Sequence, residues 1–444
     1  MAENSSWKTL PADRGSLETL AAGGLDYRVI DTADAAVFDP YLQAEMRGFL
    51  SGEQSDEQLA GMREGLAFRR FIGVYDAGSF ETAQPVGTVN SWVTDVTLPG
   101  GRGIPMWAIS GVTVAPTHRR KGIARSMLEG ELRTAAAEGV AIAGLTVSEA
   151  TIYGRFGFAP ATFATDWSID TRRALWIGPR PDGRLDFMSR EAARDELAAL
   201  HDRVRPSRPG EIQAWPALWR RMTGLAPGQE GGKKLRAVRY ADAEGVTRGV
   251  VVYAIGEERD DFSKHELTIS ILLSETPDAY AALWRFVLEH DLVSVVKASL
   301  LSVDEPLRWM IADQRAATLG TSEHGWLRII DVPAVLEARS YATAGDFVLR
   351  VTDPLGLAEG TWRLTIDDAG TGRAAAVDAA RGASSERRAP DATLTAGALA
   401  AIVLGGVRAE TLRTAGLVTG DQQSVAALDR SFAAAQTPHL GLWY

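Results

Sequence analysis

The 444-residue sequence contains no cysteine. Disulfides, thiolate zinc sites, iron–sulfur clusters and a cysteine acyl-enzyme are therefore excluded together. Histidine is scarce. The six are His118, His201, His265, His290, His324 and His439, and no two stand in the H-x-x-x-H spacing that puts two imidazoles on one helix face, so no metal site is expected. Long apolar runs are missing too: the longest, about Ala396 to Val407, falls well short of the about 20 residues that span a bilayer, and no membrane partner is expected. Bases do not dominate. Forty-seven Lys and Arg against 57 Asp and Glu leave a net charge of −10, which argues against a nucleic-acid partner. The opening MAENSSWKTLPADRGSLETL lacks a basic stretch followed by an apolar one, so a cytoplasmic protein with a flexible start over residues 1–24 is expected. No G-x-S-x-G or P-loop pattern occurs, and Gly100-Gly101-Arg102-Gly103 reads as a hairpin turn because no helix follows it.

What is present is ordinary globular composition, 45% hydrophobic and 23% charged. The length suggests about three domains. The charge is uneven: residues 1–100 hold 15 acids and 7 bases, and the remainder 42 acids and 40 bases. An acidic first hundred residues suits a cationic acceptor, although a solvated acidic surface gives the same count.

Along the chain, a strand at Leu25–Ile30 precedes a mainly helical stretch, Ala36 to Arg69, broken near Gly52 by SGEQSDEQ. Strands are predicted at Phe71–Tyr75, Val86–Thr94 and Trp107–Val114, then a helix from Gly122 to about Glu138, a strand at Ala141–Val147 and a short helix around Ile152 and Tyr153. A second unit starts near Trp167. Its segment KHELTISILLSETPDAYAALWRFVLEHDLVSVVKASL repeats the strand, helix, strand order of ISGVTVAPTHRRKGIARSMLEGELRTAAAEGVAIAGL, which suggests an internal structural repeat. A third unit opens near Gly325 with WLRIIDVPAVLEAR, a strand leading into a helix. It contains a polar loop at residues 379–391 and closes with helices at Thr395–Leu404, Ala409–Ala415 and Gln422–Ala435. Strands interleaved with helices indicate an α/β (α+β) fold with mixed sheets.

The segment with the clearest chemistry is Val112-Thr113-Val114-Ala115-Pro116-Thr117-His118-Arg119-Arg120-Lys121-Gly122-Ile123-Ala124-Arg125. A strand ends, the chain turns, and a helix begins at Gly122. The N–H groups of a helix start lack intrahelical partners and carry partial positive charge, so they bind phosphate oxygens. Four cations surround the turn, inside the most acidic part of the chain. As a bare pattern, R-x-x-G-x-A also describes a plain helix start with solvated arginines. The segment that follows the next strand, Ile152-Tyr153-Gly154-Arg155-Phe156-Gly157-Phe158, narrows the choice. The two together resemble motifs A and B of the GNAT superfamily of acetyl-CoA-dependent N-acetyltransferases. VAPTHRRKGIAR, SEATIYGRFGFAPAT, WLRIIDVPAVLEAR and an aromatic C-terminus after TPHLG resemble the Eis (enhanced intracellular survival) family more closely still, across almost the whole chain.

That resemblance implies a catalytic GNAT domain over residues 25–165, a degenerate GNAT-like domain over 166–324, and a sterol-carrier-protein-like domain over 325–444 that carries a catalytic C-terminus. It implies acetyl-CoA as cosubstrate and no metal. The second copy has SETPDAY where the first has THRRKGIA, with no glycine or cation at the turn and with Glu275 and Asp278 to repel phosphate, so no coenzyme A is expected there. By resemblance, Arg120, Lys121, Gly122, Ile123, Ala124 and Arg125 hold the pyrophosphate; Val112, Thr113 and Val114 hold the pantetheine arm, with a backbone N–H there for the oxyanion; and Ser148 and Glu149 complete the cofactor contacts. Without cysteine, direct attack of an amine on the thioester is the simplest route. The resemblance implies Tyr153 as the proton donor to the thiolate and the C-terminal carboxylate of Tyr444 as the proton acceptor. An α-carboxylate, with a pKa of about 3.5, is a weak base unless desolvated or working through water. Leu440, Leu442 and Trp443 suggest a docked tail. The acceptor site is expected near residues 41–64, with Asp39, Glu45, Glu53, Asp56, Glu57 and Glu64 against Arg47 and Arg63. A polycationic acceptor such as an aminoglycoside, acetylated at several positions, fits. A protein lysine side chain, or a lipid-carrier or scaffold role, is the alternative. The resemblance also implies a homohexamer, a trimer of dimers.

Overall fold

The computed structural model describes residues 6–256, 261–377 and 389–444. The polar loop expected at 379–391 lies, up to residue 388, outside them. The chain forms two compact units. The first comprises Met1–Thr162, His324–Pro438 and Trp443–Tyr444; the second comprises Phe163–Glu323 and His439–Leu442.

In the first unit, residues expected to be flexible form instead a helix, α1 (Arg14–Ala22). Asp13 caps it by accepting the Ser16 N–H, and the same carboxylate takes Arg133 at 2.8 Å. Leu20 is buried against the sheet core, which gives this polar stretch a reason to order. The strands β1 (Leu25–Val29), β2 (Arg70–Asp76), β3 (Gly87–Thr97), β4 (Gly103–Val114) and β5 (Ile142–Thr146) run in sequence order across a seven-stranded sheet. Between β1 and β2 lie α2 (Ala35–Gly48), capped by Asp34, and α3 (Asp56–Leu66), which starts on a Ser55/Gln58 capping box; the end of α2 and this box bound the break near Gly52. Helix α4 (Ile123–Ala137) crosses from β4 to β5.

The strand Gly325–Ile329, read from the sequence as the opening of a third unit, belongs to this first sheet. It pairs antiparallel with β5 from Gly325↔Thr146 to Ile329↔Ile142, and on its other side with Ala159–Pro160. Sequence proximity to the helix Val332–Ala338 had suggested otherwise, but the strand is buried on both faces here, Trp326 on one and Leu327 on the other.

One buried charge pair fastens α4 to the sheet. The Glu131 carboxylate accepts from Ser91 Oγ and, at 3.1 Å, from Trp107 Nε1; Arg70 Nε lies 3.5 Å away and its other nitrogens reach the carbonyls of Leu10 and Pro11. Both side chains are fully enclosed, and such a pair is tolerated because neighbouring donors and acceptors satisfy it. A five-stranded sheet, in the order Gly372–Ala376, Gly360–Ile366, Gly345–Thr352, Ala392–Thr395 and Val418–Thr419, completes the unit with the C-terminal helices.

The second unit has its own seven-stranded sheet, starting at Phe163 rather than Trp167. At its centre His265–Ser274 and Val293–Leu301 pair in parallel, joined by the helix Pro277–Leu288. β4, α4 and β5 have the same order and the same parallel pairing. The repeat read in the sequence is therefore present as two strand–helix–strand units.

Candidate active site

The site begins with a bulge. Along β3 and β4 the register steps from Thr88↔Thr113 to Asn90↔Ser110, so Gly111 and Val112 together face Val89. Gly111 supplies the positive φ, +64°, that a bulge of this kind needs. Beyond the bulge β4 leaves β5: the two pair only at Met106↔Ile142, Trp107↔Ala143 and Ala108↔Gly144, while β5 stays joined to Gly325–Ile329 along its length. Among the described residues the far half of β4 thus has β3 on one side and no strand on the other. The Ala115 N–H donates to Val86 O at 2.8 Å, so alternation along the strand turns the N–H groups of Val112 and Val114 toward the open side. The Thr113 hydroxyl is instead engaged with Thr88 Oγ1 at 2.6 Å.

The turn after β4 is the second element. Gly122 caps α4 with φ +78° and no side-chain hydrogen bond, and Arg120 also takes positive φ. The first intrahelical bond runs from Ser126 N to Gly122 O, which leaves the N–H groups of Ile123, Ala124 and Arg125 directed out of the helix end. The space a side chain would occupy at Gly122 is open. Arg119, Arg120 and Lys121 are exposed, whereas the Ile123 side chain is buried in the core, so its contribution to a ligand is its backbone. The Arg125 guanidinium pairs with Glu129 at 2.7 Å. His118 is half-buried and joins Thr117 Oγ1 at 2.8 Å to Asp76 Oδ2 at 2.9 Å; the bond to Asp76 holds that carboxyl below its usual range and ties the turn to the end of β2.

Ser148 and Glu149 are exposed just past β5. Tyr153 follows in a short 3-10 turn, Tyr153–Phe156, and is buried with its ring edge-on to Phe158. Burial, then the nearby Glu149 charge, pushes its phenol above the ordinary range, which keeps the O–H protonated at neutral pH. The turn is held from below by Arg328. Its Nε donates to Phe156 O at 2.7 Å, its Nη1 to Ile329 O, and its Nη2 to both oxygens of Asp353 at 2.7 and 2.6 Å.

The C-terminus has two anchors. His439–Leu442 belongs with the second unit, where the Gly441 N–H donates to buried Glu211 and His439 Nε2 lies 2.8 Å from Leu300 O. Trp443 and Tyr444 belong with the first. There the Thr146 hydroxyl, at the end of β5, donates to the terminal carboxylate of Tyr444 at 2.5 Å. The Tyr444 ring stands edge-on to Trp92, and its phenol oxygen occupies the space beside Gly144, where β4 and β5 part. Leu440, Leu442 and Tyr444 are buried. The structure therefore brings the Tyr444 carboxylate to the strand end that leads directly into the Tyr153 turn.

In the expected acceptor region Asp39 is neutralised by Arg63, and Glu53, Asp56, Glu57 and Glu64 are exposed. Glu45 differs. It is buried with one oxygen on Asn90 Nδ2 at 3.2 Å, and burial pushes its carboxyl up to about 7 against the pull of Arg69. Sequence reading counted it among six acids without separating it. Only the observation that position 45 faces inward from α2 does so. Among the described residues no three His, Cys, Asp or Glu gather into a metal-binding group, and no helix is long and apolar enough to cross a membrane.

A parallel strand pair splayed by a bulge, with a glycine-started helix at its mouth, is the layout of a GNAT acetyltransferase, an enzyme class that uses acetyl-CoA. Residues 29–161 and 210–329 each match a model of the acetyltransferase (GNAT) domain, and residues 332–441 match the sterol carrier protein domain. An uncharacterized N-acetyltransferase of Streptomyces avermitilis is 34% identical over 419 residues, covering 91% of this chain and 94% of the relative. The N-acetyltransferase Eis of Mycobacterium tuberculosis is 32% identical over 402 residues, covering 87% and 93%. The crystal structure of Eis1 from Mycobacterium abscessus has a TM-score of 0.78 at 27% identity, covering 95% of this chain and all of that one. The chain belongs to the Eis family of GNAT N-acetyltransferases.

Proposed function

We propose that this N-acetyltransferase moves the acetyl group of acetyl-CoA directly to primary amines of a polycationic acceptor such as an aminoglycoside, at more than one position. The observation that carries the reading is the seat of the C-terminus: a buried carboxylate rests on Thr146 at the end of β5, where the strand leads into the Tyr153 turn. Acetyl-CoA supplies the activated acyl group. The outward N–H groups of Ile123, Ala124 and Arg125, with Arg120, Lys121 and open Gly122, bind its diphosphate. Val112 and Val114 receive the pantetheine arm along the free edge of β4, Thr113 fixes that edge to β3, and a Val112 N–H donates to the thioester carbonyl oxygen. Ser148 and Glu149 border the arm on the β5 side.

The Tyr444 carboxylate accepts the proton of the attacking amine, and the Tyr153 hydroxyl gives its proton to the departing thiolate. Tyr153 has a phenol of intrinsic pKa about 10 and hands a proton to a thiolate whose acid has a pKa of about 8.5, so position rather than acidity must supply its effect. Exposed Glu53, Asp56, Glu57 and Glu64 attract a cationic acceptor. The second GNAT-like domain holds no coenzyme A in this reading, because the Thr276 hydroxyl already caps its helix start. The enzyme acts in the cytoplasm as a homohexamer, a trimer of dimers, which light scattering checks directly.

Release of free coenzyme A against a panel of amines, with mass spectrometry of the products, tests the function. Kanamycin carrying more than one acetyl group is the expected result. Release with lysine peptides alone favours the protein-acetylating alternative, and lipid co-purifying with the protein that releases no coenzyme A with any amine favours the carrier alternative.

A further inference from the structure

The Tyr153 turn is fastened by residues far along the chain. Arg328 stands opposite Ala143 of β5 on the strand Gly325–Ile329, and Asp353 lies in the stretch that matches the sterol carrier protein domain. All of these residues belong to the first unit. Both side chains are completely enclosed. Arg328 engages each of its three nitrogens, Nε on Phe156 O, Nη1 on Ile329 O and Nη2 on the two Asp353 oxygens. Asp353 is held in turn by its own loop: its Oδ1 accepts the Leu355 N–H at 3.2 Å and its Oδ2 the Ala358 N–H at 2.8 Å. Leu355 and Leu357 of that loop pack on the core that contains Tyr153, Phe156 and Phe158.

A fully buried ion pair is a poor source of stability, because apolar residues of similar volume often do as well or better. What it supplies is geometry. The guanidinium is planar and rigid, so once Nη2 is set on Asp353 the place of Nε is set too, and with it the carbonyl of Phe156. Gly157 completes the arrangement. It ends the turn at φ +84°, its N–H donates to Gly154 O at 3.1 Å, and a Cβ there would come within 2.6 Å of Arg328 Nε. The glycine of the Tyr153–Phe158 segment is thus required twice, by its left-handed backbone and by the guanidinium packed on it.

We propose that Arg328 and Asp353 are positioning residues for Tyr153, and that the sterol-carrier-like domain serves acetyl transfer by holding, through this pair, the carbonyl that ends the Tyr153 turn. The proposal deepens the assignment of Tyr153 as proton donor and rests on it. A phenol is a weaker acid than the thiol it protonates, so its effect depends on where it is held, and a small misplacement is costly. Releasing Phe156 O lets the turn shift and slows departure of the thiolate. Acetyl-CoA affinity is set elsewhere, at β4 and the start of α4, and is left alone.

The test is kcat and KM for acetyl-CoA, read from release of free coenzyme A, for the full chain with Arg328→Lys and with Arg328→Met combined with Asp353→Asn, each made with and without Tyr153→Phe. Lysine keeps a charge beside Asp353 but has one nitrogen, which cannot serve Phe156 O, Ile329 O and Asp353 from a single point. The double change removes both charges and leaves asparagine to accept from its own loop. Melting curves establish that each form is folded, and Arg328→Lys decides alone if the double change melts below the assay temperature. Either change is expected to lower kcat roughly fivefold and to leave KM for acetyl-CoA within about twofold. On the Tyr153→Phe background neither is expected to lower kcat further, since residues acting through one group are not additive. An equal fractional loss with and without the Tyr153 hydroxyl marks a role in folding alone and overturns the proposal, as does an unchanged kcat in Arg328→Lys. If Tyr153→Phe by itself costs no activity, the proton-donor assignment fails and takes the proposal with it, an outcome distinct from the others.

Discussion

The molecule builds the same strand, helix and parallel strand twice and finishes the two turns in opposite ways. Before α4, Gly122 takes a left-handed conformation and offers no side chain, so three backbone N–H groups point outward among exposed Arg119, Arg120 and Lys121. Before Pro277–Leu288, the Thr276 hydroxyl accepts the Ala279 N–H, Pro277 has no N–H to offer, and Asp278 stands in the first turn. Glu275, where an anion would approach, is held by Arg203 and Arg248 at 3.1 and 3.3 Å. One helix start leaves its dipole for a ligand, and the other consumes it internally. A handful of capping residues is enough to separate a helix start with open N–H groups from one capped internally on the same scaffold.

The largest effect expected from breaking this contrast is at Gly122. Gly122→Asp imposes a left-handed backbone on a branched acid and sets a negative charge where the diphosphate binds. With open space around the position the fold survives, and kcat/KM for acetyl-CoA is expected to fall roughly a hundredfold or more. Steady-state kinetics beside a melting curve separate this from unfolding. Next in size is the tail. An extension after Tyr444 displaces the carboxylate from Thr146, and kcat is expected to fall by about a hundredfold while acetyl-CoA affinity, set at the turn, stays near that of the unmodified chain; a tagged enzyme at full speed removes Tyr444 from the chemistry. Tyr153→Phe keeps the ring against Phe158 and removes only the hydroxyl. A loss of about tenfold or more in kcat is expected, and an unchanged rate excludes Tyr153 as the acid. The smallest effect is at the second turn. Thr276→Ala is expected to cost about 1 kcal/mol of stability by the loss of a helix cap, with no change in KM for acetyl-CoA. A shift in that KM would mean the second turn meets the ligand after all.

How much of this was legible beforehand depended on sequence distance. The strand–turn–helix at Gly122 was readable because its glycine, its cations and the preceding strand are contiguous, and helix geometry alone turns the first N–H groups to one end. The helices α2 and α3 and their break were readable for the same reason, since the polar SGEQSDEQ segment interrupts the helical stretch locally. The ordered start was not, because the partner of Asp13 is Arg133, far along the chain. Nor was the place of Gly325–Ile329, whose register against β5 is a choice among edges that local pattern cannot make. Glu45 was one acid among several until burial singled it out.

What local order can encode was therefore settled by the amino-acid sequence: no thiol relay, a helix started by Gly122 among cations, a tyrosine just beyond β5, and a second copy of the turn with acids in place of those cations. Tertiary structure alone decided where the last residue goes. The Tyr444 carboxylate meets Thr146 and its ring meets Trp92, across sequence separations over which no periodicity carries information. Its surroundings follow from burial, which a linear pattern does not report, and burial gives a carboxylate such as Glu45 a pKa near neutrality.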